Sequence, residues 1–307
     1  MKECTGATYE ASNYAKMLAV ADAKIGKSSS LVAGCLGALP WQTMGAVVDK
    51  PENLHVITTD SSALGHFRKF LTDTCRFSPQ ALGFRVYDME DDYRQAYAGK
   101  TGYDSYFYNT LMATIQQVRD RAVMAKGVSV LILSSLTTMG RAIQRGVQGP
   151  IESNGNTVKK SVMDKSKWPM YNNQLNELQA FAQADMYHCI WEGHLAKKLD
   201  FNDKDDSGAP TEKDSIQLQG SVGQSWAANV EQVVLMQRSF GQAHSGTKCD
   251  KTSFNTAPSL NMVASGRGFT ELLNKTEPDI TAMFEKLGLR VGKWKPSQGL
   301  PNSGPLP

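Results

Sequence analysis

Short apolar runs, each released into a turn and then into a segment of helical spacing, recur along this chain and limit what it can become. Lys16 to Ala21 (KMLAVA) leads through a turn into SSSLVAGCLGAL, whose small and apolar residues suit a helix. The run LHVITT over 54–59 ends in Asp60-Ser61-Ser62, and the following ALGHFRKFLTD spaces Leu64, Phe67 and Leu71 for one helix face. VSVLIL over 128–133 is almost continuously apolar, the pattern of a strand covered on both faces. Strand, turn and helix in alternation predict an α/β fold with a mostly parallel central sheet flanked by helices. Ligands of such sheets bind at the carboxyl ends of the strands.

The remaining elements follow the same logic. A strand is expected over 84–87, with an acidic turn behind it (Asp88, Glu90, Asp91, Asp92). A long helix over 104–126 carries Leu111, Ile115, Val118 and Ala122 as its apolar stripe, and Gly127 stops it. Further expectations are a helix over 172–184, a strand over 186–191 ending at Glu192-Gly193-His194, late strands over 231–238 and 259–264 with a polar stretch between them, and a last helix over 279–287. Residues 144–168 and 197–217 are polar enough to read as long loops. Residues 291–307 read as a flexible Pro/Gly tail, which leaves 1–290 as a single domain.

Composition narrows the classes. The chain of 307 residues is 41% hydrophobic and 21% charged, sufficient for a large core and unlike a disordered segment. A net charge of +3, from 33 basic and 30 acidic residues, makes any nucleic-acid site local. Five cysteines, odd in number and without a C-x-x-C pair, argue against a disulfide framework or a zinc ribbon and for reduced thiols in the cytoplasm. MKECTGATYEAS lacks the apolar core of a signal peptide, and no run approaches the roughly 20 apolar residues of a membrane span. The expectation is a cytoplasmic protein with no membrane partner.

One motif carries chemistry. Ala21 to Ser28 reads A-D-A-K-I-G-K-S, with the Gly26-Lys27-Ser28 ending of a phosphate-binding loop. Such a loop needs backbone N–H groups from Lys24 to Ser29 around phosphate oxygens, a lysine on the β/γ-phosphates and a hydroxyl toward Mg²⁺. Ala21 replaces the first glycine; an alanine held in a glycine conformation costs on the order of 1–2 kcal/mol. The competing reading is a chance GKS tripeptide in a helix cap. The motif follows an apolar strand and opens a small-residue helix, as a phosphate loop requires, with Ala21, Lys24, Ile25, Gly26, Lys27, Ser28 and Ser29 as the nucleotide-contacting residues.

In order of elements over about 14–270, the chain resembles RecA-like P-loop ATPases, most closely the phage-encoded AAA-family proteins of single-strand annealing and recombination. The resemblance implies that Asp60, in ITTDSSA, polarises the attacking water, and that Ser134, in LIL-Ser134-Ser135-Leu136-Thr137, stands where an aspartate of the Mg²⁺ shell is expected. It implies that His194 senses the γ-phosphate and that Arg267, in MVASGRGF, reaches a neighbouring subunit's nucleotide in a homo-oligomer. LQGSVGQSWAANVEQVVLMQR resembles the family's glycine turn, short helix and strand.

Asp60 has a helix N-cap as its alternative role, His194 a structural one, and Arg267 that of a solvated loop arginine. Metal binding by His188 and His194 lacks a third ligand of useful spacing. Arg141, Arg145, Lys159, Lys160, Lys165 and Lys167, interleaved with Trp168 and Tyr171, suit single-stranded DNA. The expected function is therefore Mg²⁺-dependent ATP hydrolysis coupled to single-stranded DNA in phage recombination or replication. A nucleotide-binding pseudo-ATPase and a helicase or packaging motor are the alternatives.

Overall fold

The computed structural model describes residues 13–22, 25–42, 44–76, 83–97, 106–148, 163, 165–204, 207–218, 226–227, 229–242, 248–256 and 276–294. In chain order the elements begin with β1 (Lys16–Ala21), α1 (Lys27–Cys35), β2 (Leu54–Thr58), α2 (Ala63–Lys69, continued by a wider π turn to Thr74) and β3 (Arg85–Asp88). There follow α3 (Glu90–Tyr97), α4 (Tyr106–Met124), β4 (Val130–Leu133), α5 (Leu136–Gln148), α6 (Trp168–Ala182) and β5 (His188–Lys204). The chain then adds β6 (Pro210–Ile216), β7 (Gln232–Gln242), β8 (Lys248–Asn255), β9 (Thr276–Glu277) and α7 (Ile280–Lys286).

The strands form one sheet in the order β3-β2-β4-β5-β1-β7-β8-β9, with β6 paired to β5. From β3 to β7 every neighbouring pair is parallel, while β8 runs antiparallel to both β7 and β9. The fold is α/β with a mostly parallel sheet flanked by helices. β1 lies in the middle, in register with β5 from Lys16↔Cys189 to Ala21↔His194.

Strand alternation sorts the core into two halves. Leu18, Val20, Leu131, Leu133, Cys189 and Trp191 face α4, α5 and α6, which contribute Leu111, Ile115, Ile143, Leu175 and Leu178. Met17, Ala19, Ala21, Val130, Ile132, Ile190 and Val234 face the other way, toward Leu31 and Val32 of α1, Phe67 of α2 and Met283 and Phe284 of α7. β1 therefore leads into α1 on one face of the sheet while β4, two strands away, leads into α5 on the other, and the carboxyl ends of β1, β5 and β4 lie side by side at the same edge of the sheet.

Several segments differ from expectation: the acidic residues from Glu90 open helix α3 where a turn was expected, and 144–148 end helix α5 where a loop was expected. Residues 197–217 lie largely in a β-hairpin, paired from Leu195↔Ile216 outward through an irregularity near Asp200 to Lys204↔Pro210, because backbone pairing does not require apolar side chains. The stretch after Arg238 continues β7 and returns as β8 in a second antiparallel pair. The start of the tail is docked: Gly292 N–H donates to the Val47 carbonyl (2.7 Å), Lys293 N–H donates to Asp49 Oδ1 (2.9 Å), and a Cβ at Gly292 would overlap the Val48 carbonyl. The expected strand over 259–264, Arg267, Lys159, Lys160 and Lys24 lie outside the described residues.

Candidate functional site

The turn after β1 has the geometry of an anion seat. Gly26 adopts φ 79° and ψ 30°, left-handed values that favour glycine, and caps the amino end of α1 without any side-chain hydrogen bond. The first intrahelical bond runs from Ser30 N–H to the Gly26 carbonyl (3.0 Å), so the N–H groups of Lys27, Ser28 and Ser29 have no intrahelical acceptor. No acidic residue stands in this first turn. An uncapped helix start with no acidic residue of its own is a natural binding place for a phosphate.

Ala21 does not carry the strain expected of it. It is the last residue of β1, fully buried and outside the positive-φ residues, so its methyl needs no glycine conformation. Lys27 is buried and folds back over the turn, donating to the Asp22 carbonyl (3.0 Å), approaching the Ala21 carbonyl (3.5 Å) and bonding His194 Nδ1 (3.1 Å). Burial lowers the pKa of Lys27, opposed by Glu192 and Asp22. For His194, burial, Lys27 and Arg141 all act downward, which favours the neutral ring that accepts the lysine's hydrogen.

Beside the lysine sits an acid that sequence reasoning treated only as part of a strand tip. Glu192 is 4% exposed, and its Oε1 accepts a hydrogen bond from Ser28 Oγ at 2.8 Å. Its Oε2 is buried and has no hydrogen-bond partner among the described residues. Ser134 Oγ stands 3.3 Å from Ser28 Oγ. Burial pushes the Glu192 pKa up, opposed by the Ser28 hydroxyl, by Lys27 and by the Ser134 hydroxyl. The available signal was a carboxylate inside the otherwise apolar strand sequence HCIWEGHL, since acidic residues are rarely buried without a partner.

The β4–α5 turn is shaped around this cluster. Ser134 N–H donates to the Ile57 carbonyl (2.8 Å), tying the turn to β2. Ser135 takes φ 68°, a conformation uncommon outside glycine, and Thr138 Oγ1 lies 2.6 Å from both Ser135 Oγ and Thr59 Oγ1. Such local strain persists only where surrounding bonds hold it.

The other candidates are spread around this centre. Asp60 is exposed at the end of β2, which β4 and β5 separate from β1, and its Oδ1 accepts from Ser62 N–H (2.9 Å) and Ser62 Oγ (2.6 Å). Arg141 is exposed on α5, near enough to influence His194, and Arg145 follows one turn later. Tyr171 is buried in the core and Trp168 packs partly against it, so neither is a free stacking surface. His188 is committed structurally: its Nδ1 accepts from Ala15 N–H (2.8 Å) and its Nε2 bonds the Arg290 carbonyl (2.7 Å).

Among the described residues no three His, Cys, Asp or Glu side chains gather as a metal site, and no helix is long and apolar enough to cross a membrane. Magnesium held through a nucleotide needs only one or two protein oxygens, so a three-residue cage is not required of this site. No family model and no curated protein matches this chain.

Proposed function

We propose that the chain binds Mg²⁺-ATP at the turn from Gly26 to Ser29 and is a RecA-like P-loop ATPase acting with single-stranded DNA in phage-type recombination or replication. The observation that carries this reading is an uncapped start of α1 with no acidic residue of its own in the first turn, directly after the central parallel strand, with a buried lysine and a hydroxyl there. The free N–H groups of α1 would hold phosphate oxygens, and Lys27 would exchange its carbonyl and His194 contacts for phosphate charge. Ser28 would face the magnesium ion, which neutralises charge developing on the phosphates. The buried orphan oxygen of Glu192 next to Ser28 is the kind of donor such a cation fits. Arg141, exposed on α5 and near enough to act electrostatically on His194, would link the nucleotide site to DNA phosphates.

The test is Mg²⁺-ATP binding and phosphate release by wild type and Lys27→Ala, each with and without single-stranded DNA. We expect DNA-stimulated hydrolysis in wild type and a loss of about 100-fold or more in the variant. Absence of ATP binding by wild type would overturn the reading. A second reading, a nucleotide-binding pseudo-ATPase, is favoured by one observation: Asp60, the water-orienting candidate, is exposed and already holds Ser62. It predicts ATP binding without turnover in the same assay.

A further inference from the structure

In P-loop chemistry of the kind proposed above, the hydroxyl after the lysine works with a carboxylate at the end of a neighbouring strand, and here the end of β4 offers only Ser134. We infer that Glu192 of β5 is the carboxylate that serves the nucleotide's magnesium ion, displaced sideways by one strand from the position that Ser134 occupies. The inference rests on the phosphate-site reading and deepens it.

Register and periodicity put the two residues side by side. β4 and β5 are parallel and paired up to Leu133↔Trp191, so Ser134 and Glu192 are the next residues along on adjacent strands. Ile132 and Ile190 both face α1, and the period of two returns Ser134 and Glu192 to that same face. The hydroxyl contacts bear this out: Ser28, in the first turn of α1, reaches Glu192 Oε1 at 2.8 Å and Ser134 Oγ at 3.3 Å. The lateral step between strands is only about 4.8 Å, within what a glutamate side chain can bridge from the neighbouring backbone.

The surroundings make a purely structural role costly. Glu192 is 4% exposed, and Oε2 lacks any partner among the described residues. Lys27 forms no ion pair with it and bonds His194 and main-chain carbonyls instead. Glu277, another buried carboxylate, has both oxygens 2.8 Å from Lys286 Nζ. A buried acid with one oxygen on the phosphate-loop serine and one oxygen idle suits a hard, oxygen-seeking cation that arrives with its nucleotide.

The experiment compares ATP affinity in MgCl₂ and in EDTA, by calorimetry, for wild type, Glu192→Gln and the exchange variant Ser134→Asp/Glu192→Ser. Wild type is expected to bind ATP more tightly with magnesium, and Glu192→Gln to lose about 10–100-fold of that gain while keeping its affinity in EDTA. The exchange variant is expected to recover magnesium dependence, and it carries the test if Glu192→Gln does not fold. An unchanged ratio of the two affinities in folded Glu192→Gln, or no recovery on exchange, overturns the assignment while the phosphate site stands. No ATP binding by wild type in either buffer overturns the phosphate site and this assignment together.

Discussion

At the scale of single residues, the site is built from groups that are expensive to keep. Glu192 is buried with an idle oxygen, and Ser135 sits in a left-handed conformation. Costs of this kind recur where a site is prepared for something that binds later. Glu192→Gln preserves shape and an acceptor for Ser28 while removing a charge from an apolar surround. The nucleotide-free variant should therefore be more stable than wild type at neutral pH by roughly 1–3 kcal/mol, the extra cost of burying an incompletely paired charge over a neutral polar group. Urea unfolding at pH 7 measures it; a lower midpoint for the variant would mean that Glu192 holds the empty fold together.

At the scale of elements, Asp49 joins three parts of the chain that are distant in sequence. Its Oδ2 accepts from Val128 N–H (2.7 Å) at the entrance to β4, and its Oδ1 accepts from Lys293 N–H (2.9 Å) in the docked start of the tail. Val291 and Trp294 pack against the core beside these bonds. Asp49→Ala leaves two backbone donors without their acceptor and should cost about 1–3 kcal/mol. Chemical denaturation would register this loss, and proteolysis near 290–294 should become faster as the docked segment is released. The same polar residues that made the tail look loose supply backbone N–H groups, and those groups hold it.

For the whole molecule, two buried histidines set the response to acid. His188 and His55 are each pushed down to about 4, in both cases mainly by burial; on His188 the hydrogen-bonded Arg290 carbonyl acts upward and the Arg290 charge downward, and on His55 the Arg85 and Arg121 charges act downward. In the unfolded chain both would titrate near 6.5. Between about pH 6.5 and pH 4 the unfolded state binds more protons than the folded one. Stability is thus full above that window and falls as pH drops through it, by up to about 1.4 kcal/mol per pH unit for each histidine. In His188→Gln the slope between pH 6 and pH 5 should be shallower by roughly 1 kcal/mol per unit. Equal slopes in wild type and variant would show that His188 is already charged in the folded protein.

Much of this architecture was legible in the chain. KMLAVA, LHVIT and VLIL are β1, β2 and β4, because an apolar run bounded by turn residues has few options besides a buried strand. Gly26-Lys27-Ser28 marked the start of α1, since a left-handed turn calls for glycine. Polar segments were misjudged: 197–217 and the residues after Arg238 pair through their backbones, and composition says little about backbone pairing. The site's acid was also out of reach, because sequence order places Ser28, Ser134 and Glu192 more than fifty residues from one another. Local periodicity determined which segments became strands and helices. Only the parallel registers of β1, β5 and β4 decided which side chains meet, because contacts between strands depend on their order in the sheet.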